Sequence, residues 1–375
     1  MSAAEPLVTH IRTRGVLAPL ERPLRTAAGS TDAAPLVLVD ITSSAGVVGH
    51  AYAFAYRADL LETVTRLVRD LSAALLGGPI APQAAAARLR AGLTLLGTAG
   101  LAQMALAVVD TALWDLLART AGMPLVRLLG GHPQPVRAYA SFGMDGADCA
   151  ARLAVTAAES GFSGVKVKIG YPTLAEDLAV IDAVRREVGD GVDIMADYNQ
   201  ALTVPEALRR CRALDTRGLA WIEEPVAADD LDGHARIAEQ ICTPIQIGEN
   251  AWGAAGISDI LNHRASDLVM IDLVKVGGIS EWLTASALCT AARVPYSDHF
   301  YQETSAHLMA LSPGAHLLEF YGPADAILTQ PLTAVQGHVV PGEAPGSGVD
   351  WDEAAVTRYA RCGYDVGSPA GKVHT

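Results

Sequence analysis

The stretch Gly164-Val165-Lys166-Val167-Lys168-Ile169-Gly170 alternates small apolar residues with two lysines and stops at a glycine. A β-strand turns successive side chains to opposite faces, so Lys166 and Lys168 share one face while Val165, Val167 and Ile169 share the other. Taken alone, a Lys-x-Lys strand is most simply a solvated basic edge. Its company argues otherwise: Asp197, Glu223, Glu249, Asp272, His299 and Glu319 each end or follow a short apolar run. These runs belong to a series of eight, at 136–141, 164–169, 193–197, 220–223, 245–249, 268–272, 295–299 and 316–319, with helical periodicity between them. Such alternation predicts an α/β fold, a parallel (β/α) barrel whose C-terminal strand ends carry the chemistry. Asp197 and Glu223 are 26 residues apart, as are Glu223 and Glu249. That is close to one barrel unit of roughly 30 residues, so the acids are expected at the same end.

The 375 residues, half of them hydrophobic, suffice for a barrel and an appendage. Residues 1–132 read as an α+β domain, with strands near 7–17, 35–41 and 46–52 and helical spacing from Arg57 to Leu129. The polar insert 21–34 is expected to be a mobile lid loop. Residues 133–322 form the barrel, and the Pro- and Gly-rich segment 323–375 is expected to return to the first domain. A net charge of −13 without a Lys/Arg-rich tract argues against nucleic acid or an anionic membrane as partner. Gln103, Asp110 and Asp115 interrupt the apolar tract 101–117, which therefore reads as a buried helix rather than a membrane span. The five cysteines are scattered and lack any Cys-x-x-Cys spacing, and Met1-Ser-Ala-Ala-Glu-Pro lacks a leader's character; both fit a reducing cytoplasm.

Asp197, Glu223 and Glu249 at three consecutive strand ends would make an oxygen-only, trianionic site, suited to Mg²⁺. The plain alternative for any one of them is a salt bridge to a neighbouring strand. Lys166 and Lys168 lie on the second strand and His299 on the seventh, nearly opposite in a ring of eight. Lys166 is expected to push Lys168 toward neutrality, and Asp272 on the sixth strand to orient His299. Without those partners His299 would read as a core histidine. A divalent cation between opposed bases suits removal of a proton next to a carboxylate, which needs a stabilised enediolate. Glu319 either donates a hydrogen bond to that enediolate, if protonated, or is an ordinary ionised acid.

These motifs resemble the enolase superfamily and, within it, the mandelate racemase subgroup, for which Lys or His bases with Mg²⁺ are a general pattern. The resemblance runs through Ala34-Pro-Leu-Val-Leu-Val-Asp, Ser44-Ala-Gly-Val-Val-Gly-His, Val165-Lys-Val-Lys-Ile-Gly-Tyr-Pro, Asp197-Tyr-Asn-Gln and Trp221-Ile-Glu-Glu-Pro. It continues through Gly248-Glu-Asn, Asp272 with Lys275-Val-Gly-Gly, and His299-Phe-Tyr-Gln-Glu-Thr-Ser-Ala-His. It implies a modified TIM barrel, (β/α)7β, beneath an N-terminal α+β capping domain, often assembled as a homo-octamer. It implies Lys168 as the base for the S-configured substrate and His299, with Asp272, for the R-configured one. Asp197, Glu223 and Glu249 would bind Mg²⁺, Lys166 would neutralise the substrate carboxylate, Asn199 would contact substrate or metal-bound oxygen, and Glu319 would hydrogen-bond the enediolate.

The chain departs from the subgroup's namesake at the pocket. Ser141-Phe142 stands where a histidine follows the serine, Leu24 and Thr31 replace lid valines, and Tyr321 replaces a leucine. Phe54 and Tyr56 match the aromatic wall, and with Phe142, Phe300 and Tyr321 they suggest an aromatic or apolar group beside the substrate carboxylate. The expected activity is racemisation of a 2-hydroxy acid. The alternatives are dehydration of an acid sugar and, more remotely, a non-catalytic relative.

Overall fold

The computed structural model describes residues 5–27 and 29–367. The remaining positions, which include most of the N-terminal hexapeptide, one residue of the insert 21–34 and the end of the C-terminal segment, lie outside the described residues.

Three antiparallel strands, β1 (Val8–Thr26), β2 (Gly29–Ser43) and β3 (Val48–Phe54), form the first sheet. The C-terminal strand Ala360–Gly367 returns to pair with β1. The insert 21–34 is not the irregular loop expected from its composition. Both strands continue into it as a hairpin arm, re-registered across a bulge between Pro19 and Leu24, with Leu24 opposite Thr31 and Thr26 opposite Gly29. The polar alternation that looked like loop is that of a strand exposed on one face.

Helices α1 (Leu61–Ser72) and α3 (Leu101–Thr120) cover the sheet, and α2 (Pro82–Ala91) packs on α3. The polar residues that interrupt α3 are buried, each with a partner. Gln103 donates to Val276 O at 2.9 Å, Asp110 accepts from Ser280 N and Oγ, and Asp115 accepts from His50 N and Ser347 N. Asp115 ties α3 to β3 and the C-terminal segment, and Gln103 and Asp110 tie the cap to the barrel. Gly278 permits this contact: a Cβ there would lie 2.6 Å from Asp110 Oδ2 and 2.8 Å from Ala107 O.

Asp40 joins the sheet to the C-terminal segment. It accepts hydrogen bonds from Arg12, Arg14, His50 and Trp351 at 2.6–2.8 Å. Burial would raise its pKa, but His50, Arg14 and Trp351 hold it down to about 2. A folded-state pKa below the ordinary 3.8 stabilises the protein above that value, and the contribution is lost as pH falls toward 2. Asp40→Asn should therefore cost about 2 kcal/mol in urea unfolding at pH 7. The cost should be unchanged at pH 5.5 and shrink below pH 4; a pH-independent difference would contradict this assignment.

Eight parallel strands follow: β4 (Val136–Ser141), β5 (Gly164–Lys168), β6 (Asp193–Asp197), β7 (Trp221–Glu223), β8 (Ile245–Ile247), β9 (Leu268–Asp272), β10 (Tyr296–His299) and β11 (Leu318–Phe320). They pair in the order β10-β9-β8-β7-β6-β5-β4-β11. The seam between β10 and β11 is closed by a short bridge at Tyr296 and Ala315 and by Glu319 N donating to Asp298 Oδ1 at 2.8 Å. A helix of eight to fifteen residues follows each of the first seven strands, which completes a (β/α)7β barrel under an α+β cap.

Period-two alternation explains where the acids stand. Met195, Trp221, Met270 and Leu317 lie two residues before Asp197, Glu223, Asp272 and Glu319, and with Tyr139 they form one buried cluster. The strands thus present a bulky apolar floor and, one layer above, a ring of ionisable groups.

Candidate active site

Ladder register brings the first acids level with the lysines: Lys168 is opposite Asp197, and Asp197 opposite Glu223. Glu223 is paired with Gln246, so Glu249 stands three residues beyond that level. The strand expected over 245–249 ends at Ile247. Gly248, at φ +130°, breaks the alternation and lets Glu249 reach inward from the loop; a Cβ there would meet Met270 O at 2.4 Å. The equal sequence spacing thus reflects a common barrel end, not a common ladder level.

Carboxylate oxygens of Asp197, Glu223 and Glu249, all buried, lie within 4.8 Å of one another. Lys166 is fully buried and bridges Glu223 at 2.8 Å and Glu319 at 2.9 Å. The other Glu223 oxygen accepts from Trp221 Nε1 and Gln246 Nε2. Burial and the neighbouring carboxylates push Glu223 up to about 7 against the pull of Lys166. Three crowded acids with oxygen-only donors are what a hard divalent cation such as Mg²⁺ would neutralise, so the residues fit that ion.

Lys168 Nζ lies 2.5 Å from Asp197 Oδ2. Burial, the largest influence, and Lys166 disfavour its charge, yet Asp197, Glu249 and Glu223 together prevail, and its pKa is raised. This reverses the expectation that Lys166 would neutralise it. The reason is that Lys166 is engaged by two carboxylates of its own, while Lys168 faces Asp197 directly.

His299 stands on the other flank, with Nε2 3.1 Å from Glu249 and Nδ1 2.7 Å from Asp272. Asp272 lies opposite His299 in the β9–β10 ladder. Its second oxygen caps the turn after β9 by accepting from Val274 N and Lys275 N at 2.8 and 2.7 Å. An anchored carboxylate of this kind holds Nδ1 as the donor and leaves Nε2 toward the cluster. Burial opposes the imidazolium, but Glu249 and Asp272 prevail and raise its pKa. For Glu319 the sequence leaves two readings open, an ordinary ionised acid and a protonated donor. Burial would favour that form, but Lys166, His299 and Lys168 hold it down to about 2, so it is ionised beside Lys166.

Lys168, His299, Glu249, Glu319 and Asn199 line one cavity of about 380 Å³. The expected wall residues Leu24, Phe54, Tyr56, Ser141, Phe142, Phe300 and Tyr321 border it as well. Thr31 does not; its hydroxyl donates to Ala33 O on the hairpin arm, opposite Leu24. Sequence reading missed Lys275, Asn250, Trp252 and Met104 in the same wall. Lys275 and Asn250 stood inside quoted motifs, but their role appears only in three dimensions. Asn250 donates to Glu249 and to the buried Glu224, and Lys275 donates to Asn250 Oδ1. Burial and Glu249 raise Glu224 well above the ordinary carboxylate range.

A capped (β/α)7β barrel with three clustered carboxylates between an amine and an imidazole defines a scaffold for metal-assisted carbon-acid chemistry. Residues 8–130 match the model of the mandelate racemase/muconate lactonizing enzyme N-terminal domain, and residues 148–355 that of the enolase C-terminal domain-like family. The chain belongs to the enolase superfamily, in the mandelate racemase-like branch. A Bradyrhizobium enolase crystallised with magnesium and mandelic acid is 41% identical, with a TM-score of 0.93 over 96% of this chain and 100% of that one. L-talarate dehydratase from Polaromonas sp. JS666, crystallised with Mg and L-glucarate, is 31% identical, with a TM-score of 0.89 over 97% of this chain and 100% of that one. L-talarate/galactarate dehydratase of Salmonella typhimurium is 30% identical over 93% of this chain and 87% of its own length. Epimerases and cycloisomerases also occur among the relatives.

Proposed function

We propose that this protein racemises a 2-hydroxy acid bearing an aromatic or apolar group, by moving the α-proton between two faces of an enediolate. One observation carries the reading: two bases of different kinds touch different members of the carboxylate cluster, Lys168 at Asp197 and His299 at Glu249, yet line one cavity. Asp197, Glu223 and Glu249 would hold Mg²⁺, which would supply Lewis-acid stabilisation of the negative charge developing on the substrate carboxylate. Lys166 Nζ pairs with that carboxylate. With Asp197 engaged by the cation, Lys168 would lose that counter-charge and stand neutral beside Lys166; it takes the α-proton from the S enantiomer while His299 delivers one to the opposite face, and for the R enantiomer the two exchange roles. Asp272 keeps His299 in the tautomer whose Nε2 can accept. Asn199 donates to the substrate oxygens. Glu319 gains a proton once the substrate anion competes for Lys166, and then donates to the enediolate.

The wall favours an apolar substituent. Phe300 stacks on His299 at 4.0 Å and on Tyr321 at 5.4 Å, and Phe54 meets Phe300 edge-on. A second reading, dehydration of an acid sugar, is supported by the talarate dehydratase relatives and by the polar side of the cavity at Lys275, Asn250 and Gln200. Incubation of single enantiomers with Mg²⁺ in D₂O separates the two. Racemisation is expected to give α-deuterated acid of both configurations with no loss of water; a 2-keto product without the mirror-image acid would replace it by dehydration.

A further inference from the structure

A second cavity, of about 900 Å³, lies beneath the bulged part of the hairpin arm. Its roof is Pro19 to Leu24, where the β1–β2 ladder changes register. Its other walls are β4, the helix Ala147–Glu159 and the residues around the end of β11. Leu24, Ser141, Phe142 and Tyr321 line this cavity and the catalytic one, so the partition is one side chain thick.

Two polar groups at that partition have no use in the chemistry above. The Tyr321 hydroxyl is buried without a hydrogen-bond partner among the described residues, an arrangement that costs free energy unless a ligand satisfies it. The Arg22 guanidinium lies 5.5 Å from the centre of the Phe142 ring and makes no ion pair among the described residues. The charge around it limits the occupant. Glu21 and Asp325 line the same cavity, whereas Asp145 is paired with Arg25 at 3.1 Å. One unpaired cation in a wall that also holds Glu21 and Asp325 does not favour an anion. Leu153, Ala157, Phe162 and Phe320 make the remaining surface largely apolar.

We propose that this cavity is a subsite for the tail of the substrate. The ligand is a 2-hydroxy acid whose apolar α-substituent passes Ser141 between Phe142 and Tyr321. It ends in an uncharged oxygen acceptor that takes hydrogen bonds from the Tyr321 hydroxyl and Arg22. The proposal rests on reading the catalytic cavity as a proton-transfer site for hydroxy acids.

The test compares mandelate, 4-(2-methoxyethoxy)mandelate and 4-(carboxymethoxy)mandelate on the Mg²⁺-loaded protein, by calorimetric Kd and by α-deuteration in D₂O. The neutral tail is expected to improve Kd and kcat/KM about tenfold over mandelate, the scale of one net hydrogen bond. The anionic tail should bring no gain. Ser160→Trp, on the helix side of the second cavity, should remove the gain while leaving mandelate within about twofold, and Arg22→Ala should reduce it. Equal Kd for mandelate and the neutral-tailed acid, or a gain that survives Ser160→Trp, overturns the subsite. A Kd gain that Ser160→Trp removes, with no α-deuteration of any acid, supports the subsite and counts against the proton-transfer reading instead.

Discussion

Lys168→Ala is expected to lower α-proton exchange from the S enantiomer by about 10³-fold, the scale of a lost general base. Exchange from the R enantiomer should persist in part, because His299 sits on the opposite flank of the carboxylate cluster with its own orienting partner. His299→Asn should produce the mirror-image result. Asp272→Asn should follow His299→Asn, since it changes which imidazole nitrogen carries the hydrogen and leaves Lys168 untouched. Deuterium incorporation into each enantiomer, followed by NMR, reads all three. Equal loss from both enantiomers in every variant would show that the two groups act as one unit on a single face, and the two-base mechanism would fall.

Lys166→Met has the largest expected effect on stability. Its ammonium is fully buried between Glu223 and Glu319, and both carboxylates lose their partner when it is removed. Breaking a buried pair from one side costs about 3–5 kcal/mol, because the remaining charge is stranded away from water. In Mg²⁺-free buffer the variant should unfold at correspondingly lower urea. Added Mg²⁺ should recover part of the loss, since a dication at the carboxylate cluster replaces the missing charge beside Glu223. Wild-type stability in the absence of Mg²⁺ would mean that Glu319 is protonated there along with Glu223, and that the ionised state assigned to Glu319 is wrong.

The barrel, its strand ends and the main ionisable groups were legible because each rests on a local rule. Strands and helices have different hydrophobic periods, and an acid placed two residues after a bulky apolar residue is read directly from alternation. Glu249 shows where this stops. Its spacing from Glu223 is correct, but its place three residues above the ladder level depends on the left-handed Gly248 and the nearby Met270 carbonyl. The hairpin arm was misread because one exposed strand face looks the same as a polar loop. Lys275 and Asn250 were passed over because their link to Glu249 and Glu224 crosses strands.

By itself, the order of residues determined a parallel (β/α) barrel beside an α+β domain and the kinds of ionisable group at its strand ends, since strand periodicity and residue chemistry act over a few neighbours; the capped (β/α)7β form was what the family resemblance implied. Only the tertiary structure decided the charge of the groups and the shape of the pocket. Asp197 and the neighbouring carboxylates raise the pKa of Lys168 against burial; Lys166, His299 and Lys168 lower that of Glu319; Thr31 is turned away; and a second cavity opens behind Phe142 and Tyr321. The reason is that a buried charge responds to everything within several ångströms in a medium of low polarisability. Those neighbours come from strands and loops that are far apart in the chain.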